Sequence, residues 1–218
     1  MAKIRWLGHA AWLMEFSDVT VVVDPFLTGN PKAAVKASDI KKADYVLVTH
    51  NHSDHLGDSY SIAKERGSRF VSMFELAEGA RKSGVHEEKA IGMNIGNLYD
   101  FRNIKIGMTP AIHSGLPAGF IIEKDGETIY HAGDTAFFSE MKMIGEVYKP
   151  SVALLPIGGF FTMGPKEAAY AADTIRAGVT IPMHYGTFPQ IAQDPHAFAG
   201  MVKNSKVAVL KPGEEYVL

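Results

Sequence analysis

Residues 49 to 55 read THNHSDH and place three histidines and an aspartate within seven positions, directly after the apolar run DYVLV. Imidazole and carboxylate are the nitrogen and oxygen donors of divalent metal sites, so the segment is a candidate ligand cluster. His50 and His52 stand two apart, and Asp54 and His55 follow at once. If the segment is a tight loop leaving a buried strand, alternate residues point one way while Asp54 and His55 curl toward a neighbouring point. Two ions can then share one loop. A helix cap suits Ser53 or Asp54, but capping has no use for three histidines.

Two catalytic ions, each with an open position for water, need about six to seven protein ligands in all. The loop supplies four, and the rest are expected at the ends of other strands. His113 in MTPAIHSG, Asp134 in YHAGDT and His184 in TIPMHYG each follow an apolar run and lie within two residues of a glycine, which permits close backbone approach. With these the set reaches seven.

Other positions are read beside this set. Asp24 in VVVDPF either starts a turn or orients a ligand histidine through its second nitrogen. A crossover between parallel strands TVVVD and DYVLVTH ends both at one sheet edge and favours the second role. His9 in LGHA falls at the same edge, as a lining residue of the substrate pocket or as a turn residue packed on Trp6 or Trp12. His131 is expected to face the sheet interior or accept a structural hydrogen bond, and His86 and His196 to lie on the surface. In GGFFTMGP, Phe160, Phe161, Thr162 and Met163 are expected to line a substrate pocket, with the helix start after Gly164 available to an anionic group.

Positioning these residues requires strands that end together. KIRWL, AWLMEF and TVVVD read as short strands separated by GHA and SD. A short helix is expected after DPFLTGNP, then the strand DYVLV and a helix over 56–66. RFVSM reads as strand and FELAEGARKSG as helix with a glycine stop. Strands follow near 89–93, 98–101 and 104–110, then AGFIIEK and ETIYHAG. A helix near 137–148, the strand SVALLPI, the helix PKEAAYAADTIRAG, the strand VTIPMH, a helix over 195–203 and the strands KVAVL and EEYVL complete the chain. Strand pairs followed by alternating helix and strand occur twice. This predicts an α/β protein of two similar halves in a four-layered α/β/β/α sandwich, as a single domain over 1–218.

The 218 residues suffice for a sizeable core, with 46% apolar and 21% charged residues. A formal charge of −2 gives no broad positive field, so neither nucleic acid nor membrane is expected as a partner. A small-molecule substrate is expected, and a homo-oligomer is compatible with the sequence. There is no cysteine, so any metal must be held by histidine and carboxylate. No uninterrupted signal-peptide core opens the sequence and no segment approaches about 20 apolar residues, so the chain is read as cytoplasmic.

The HxHxDH pattern of His50, His52, Asp54 and His55, together with WLGHA, GDT and FTMGP, resembles the metallo-β-lactamase-fold hydrolases over essentially the whole chain. The likeness is to short metal-dependent hydrolases similar to the L-ascorbate 6-phosphate lactonases. The resemblance implies two divalent metal ions, zinc by default with Mn2+ or Fe2+ also accepted by the donors. It implies His50, His52 and His113 on one ion, Asp54, His55 and His184 on the other, and Asp134 bridging. A bridging water is then the nucleophile against an ester, lactone or phosphoester bond, and the leaving group's proton comes from solvent or from Asp54. Three rivals are weighed. A di-iron redox protein of this fold usually has glutamate where His52 stands and a flavin domain. A nucleic-acid phosphodiesterase needs an extra domain or basic arm. A non-enzymatic metal-binding or ligand-sensing module does not need open water positions.

Overall fold

Three short strands open the chain, β1 (Lys3–Gly8), β2 (Ala11–Glu15) and β3 (Thr20–Val23), and the tight turns joining them make an antiparallel meander. The pairing then changes sense: β4 (Tyr45–Leu47), β5 (Arg69–Met73) and β6 (Ala90–Met93) add in parallel, each reached through a crossover. Parallel central strands are covered on both faces, which is why TVVV and YVL are continuously apolar and wholly buried rather than alternating. The helices α1 (Ser53–Leu56), α2 (Ser59–Arg66) and α3 (Phe74–Lys82) lie in these crossovers, and their apolar residues Ile62, Leu76, Ala77 and Ala80 pack with Leu7, Val22, Val46 and Phe70. The outer neighbour of β1 is β14 (Glu215–Val217), antiparallel and joined to it by the Arg5–Glu215 ion pair.

The computed structural model describes residues 2–218, and these strands form the first of two compact units, made of the chain up to Asn94 together with Lys211–Leu218. The second, Ile95–Leu210, repeats the plan. Here β7 (Leu98–Asp100), β8 (Lys105–Pro110), β9 (Ala118–Lys124) and β10 (Glu127–His131) are antiparallel, and β11 (Val152–Pro156), β12 (Val179–Met183) and β13 (Lys206–Val207) add in parallel. Its helices are α4 (Met141–Tyr148), α5 (Pro165–Ile175) and α6 (Pro195–Met201). The small buried residues Ala168, Ala171 and Ala172 let α5 sit close to its neighbours. The α/β class is met, with two mixed seven-stranded sheets, each with its own helices. Among the described residues no helix is long and apolar enough to cross a membrane.

Several boundaries differ from the sequence reading, each for a local reason. The helix expected over 56–66 starts inside the histidine motif and breaks at Gly57, whose φ of 38° and contact with Phe26, 2.6 Å from an added Cβ, leave no place for a side chain. Asp58 then accepts from the Leu27 and Thr28 N–H groups at 3.1 and 2.8 Å, fastening this turn to the segment after Asp24. The short helix expected after DPFLTGNP is a single 3-10 turn, Ala37–Asp39. The helix expected from 137 begins at Met141, and α5 ends on Arg176 in the left-handed conformation rather than on a glycine.

Candidate functional site

Because β3 and β4 run parallel, their carboxyl ends meet, and the Asp24 N–H donates to Leu47 O at 2.9 Å. The buried Asp24 carboxylate is held by Thr49: Oδ1 accepts the backbone N–H at 2.8 Å and Oδ2 the hydroxyl at 2.7 Å. The same Oδ2 lies 2.7 Å from His55 Nδ1. A carboxylate facing Nδ1 fixes the tautomer with the proton there and leaves the Nε2 lone pair for a ligand role. The Thr49 hydroxyl has given its own proton to Asp24, so toward His50 Nδ1, 3.0 Å away, it acts as acceptor. One carboxylate and one hydroxyl thus set both His50 and His55 to present Nε2.

The remaining donors of the first unit gather beside these rings. His50 Nε2 and His52 Nδ1 are 3.0 Å apart, and His9 Nε2 is 3.1 Å from Asp54 Oδ2. His9 is fully buried, edge-on to Phe26 and to His55, with its carbonyl accepting from Trp6 Nε1 at 2.9 Å. Donors of a tetrahedral shell at about 2.0–2.1 Å from a zinc ion lie about 3.3 Å from one another. The 3.0 Å between His50 Nε2 and His52 Nδ1 is close to that spacing, so this pair fits a divalent metal. For His50 Nε2 and His52 Nδ1 both to ligate, neither can carry a proton, and a neutral His52 meets this with its proton on Nε2.

In the second unit Asp134 follows β10 and is buried, with its Oδ2 3.1 Å from His184 Nε2 and 3.5 Å from His113 Nε2. Thr135 ties the segments that bear them: its Oγ1 accepts the Ile112 N–H at 3.0 Å, and its carbonyl accepts the Met163 N–H at 3.0 Å. Burial pushes the phenol of Tyr185, next to His184, up to about 12, so it stays neutral through physiological pH.

Three residues of these two sets have left-handed backbone without being glycine, His9 (φ 57°), Asp24 (φ 44°) and His184 (φ 53°), as does Phe160 (φ 55°) after β11. Each such residue costs about 1–2 kcal/mol, and strain of this kind persists only where the surrounding structure over-determines it.

His131 is buried and its Nδ1 accepts the Gly133 N–H at 3.2 Å, while His86 and His196 are exposed. Phe160 and Phe161 are 80% and 50% exposed and Thr162 is half-buried. Met163 does not line a pocket with them; the loop folds back through a Gly159 N–H to Met163 O bond of 2.9 Å and seats its side chain in the core of this unit. Sequence reasoning missed Thr49 and Thr135. The one available signal was that each abuts a singled-out residue, His50 or Asp134.

A model described as the Beta-lactamase superfamily domain matches residues 19–185. The chain is 48% identical over 223 residues to a UPF0173 metal-dependent hydrolase of Caldivirga maquilingensis, covering 98% of this chain and 97% of that protein. It is 47% identical over 230 residues to another from Methanopyrus kandleri, covering 98% and 99% respectively. Among solved structures it is similar to Igni18, a metallo hydrolase of the hyperthermophilic archaeon Ignicoccus hospitalis, with a TM-score of 0.90 at 40% identity over 99% of this chain and 97% of that one.

Proposed function

The chain belongs to the β-lactamase superfamily, among the metal-dependent hydrolases of the metallo-β-lactamase fold, and from that membership we propose that it binds two divalent ions, zinc foremost, and hydrolyses an ester, lactone or phosphoester bond of a small molecule. The observation that carries this reading is the clamp of Asp24 and Thr49 on His50 and His55. A turn needs no buried carboxylate with three donors on it, whereas a ligand histidine needs its second nitrogen occupied. We assign His50, His52 and His113 to one ion, Asp54, His55 and His184 to the other, and Asp134 to both.

Bound there, the ions supply a water acidified to near neutral pH and a Lewis acid for the scissile oxygen. In the overall step the water oxygen bonds to the carbonyl carbon or phosphorus, the bond to the leaving oxygen breaks, and that oxygen takes up a proton. Asp54 is our candidate for delivering it, with solvent as the other source. His9 Nε2 holds Asp54 Oδ2 and so sets which way that carboxylate faces. Asp24 and Thr49 keep the imidazoles from turning.

Elemental analysis of the purified protein, paired with an aryl ester, a lactone, a phosphodiester and a phosphomonoester, tests the reading. Two metals per chain with turnover of one class are expected. Failure to take up metal after reconstitution overturns it, and two metals with no turnover of any substrate class moves the protein to the sensing modules.

A further inference from the structure

We propose that the loop between β11 and α5 is a rigid apolar platform for the substrate, and that the substrate bears an alkyl or aryl group. This rests on the hydrolase reading and narrows it. The loop is fastened at both ends to segments that bear candidate ligands. At its start the Ile157 N–H donates to Met183 O at 3.1 Å, and Gly158 packs so closely on the His184 carbonyl that a Cβ there would collide with it and come within 2.9 Å of Ile191 Cβ. At its end the Met163 N–H donates to Thr135 O at 3.0 Å, one residue from Asp134.

Between these anchors the tip holds Phe160 and Phe161, edge to face with ring centroids 4.7 Å apart. Phe160 is 80% exposed in a left-handed conformation that a bulky side chain rarely takes. Neither the exposure nor the strain helps the fold, since the ring buries little and glycine would relieve the backbone. Ile112, 55% exposed and next to His113, is hydrogen-bonded through its N–H to the same Thr135. The loop and Ile112 are thus tied through Met183 and Thr135 to the segments that bear His113, Asp134 and His184. From Ile157 to Gly164 the loop reads IGGFFTMG and carries no charged side chain, so the contact it offers suits an alkyl or aryl substituent.

The test compares zinc-loaded wild type with Phe160→Gly and Phe161→Ala on 4-nitrophenyl acetate and octanoate, and measures acetate and octanoate binding by calorimetry on the same samples. Glycine is compatible with the backbone at 160, so that variant is expected to melt no lower than wild type. Wild type is expected to prefer octanoyl over acetyl in kcat/KM and octanoate over acetate in binding, and each variant to reduce both preferences about tenfold. Unchanged preferences in both variants, or a wild type without any, overturn the platform while metal content and turnover still report on the hydrolase reading. If wild type turns over neither ester, the binding comparison alone decides. A dimer in wild type that Phe161→Ala dissociates, with binding preferences unchanged, would assign the patch to a second copy of this chain and also overturn the proposal.

Discussion

Replacing Asp24 by asparagine keeps the volume of the side chain and removes one acceptor from a site that uses both. Oδ1 receives the Thr49 N–H, and Oδ2 receives the Thr49 hydroxyl and the His55 Nδ1–H. An amide facing His55 with its NH2 inverts the tautomer and puts a proton on Nε2, the atom needed for the metal. Turned the other way, the NH2 meets the Thr49 N–H, a buried contact of two donors that costs about 1–3 kcal/mol. Losing such an orienting partner lowers metal affinity about 10–100-fold, or about 1.4–2.8 kcal/mol. The expected result is therefore one ion weakened by that factor, the one His55 serves, with a smaller effect through Thr49 and His50. Titrating the apo protein with zinc against a chromophoric chelator reads this directly. If the amide adopts the second orientation, melting of the apo protein should fall by about 2–12 °C, taking about 2–4 °C per kcal/mol for a chain of this size. Two equivalents bound at wild-type affinity would refute the reasoning, because His55 would then need no orienting carboxylate.

Three further outcomes are expected. His9→Ala should retain both metals by elemental analysis but lower kcat about tenfold, since Asp54 Oδ2 loses the imidazole 3.1 Å away; unchanged kinetics would assign His9 to packing alone. Gly158→Ala should destabilise by about 1–3 kcal/mol through overpacking against the His184 carbonyl and Ile191, and should lower zinc content as well as Tm; a Tm within 1 °C of wild type would show that the loop yields, about the resolution of a melting curve. Burial holds the Tyr185 phenol at about 12 and raises Tyr130 further, against 10.0 for each when unfolded. The stability tied to their neutrality is complete below pH 10 and is lost as pH rises toward and past about 12, because the unfolded state ionises first. Absorbance at 295 nm at pH 11 should fall short of the urea-unfolded protein by at least these two phenolates, and full amplitude in the folded state would contradict their burial.

How much of this was legible in the sequence depends on how local the cause is. Continuous apolar runs such as TVVV and VALLP announce parallel buried strands, and the crossover rule then brings Asp24 beside the loop of His50, as Thr49 bonded to Asp24 shows. The four metal-capable residues of THNHSDH stand out by type and spacing, and His113, Asp134 and His184 were candidates only by their place after apolar runs near a glycine. What was not legible depends on contacts far along the chain. Nothing at Gly57 says that Phe26 will press against it and split a helix, and nothing in GGFFTMGP says that Met163 turns inward while Phe160 and Phe161 stay out. The left-handed backbone at His9, Asp24 and His184 was equally hidden, because aspartate and histidine are enriched in that conformation yet only a small fraction of them adopt it.

The pairing of β1 with β14 bears on how the chain comes to be folded at all. Arg5 and Glu215 are 210 residues apart, and the whole second unit is synthesised between them. At about 5–20 residues per second, a ribosome takes about 10–40 s to deliver the partner of a strand made at the outset. Throughout that interval β1 is an open edge bearing Ile4 and Trp6, able to recruit any other unpaired strand in reach. Translation rate, and whatever shields a nascent edge, should therefore govern the soluble yield of this protein more than the strength of its finished core.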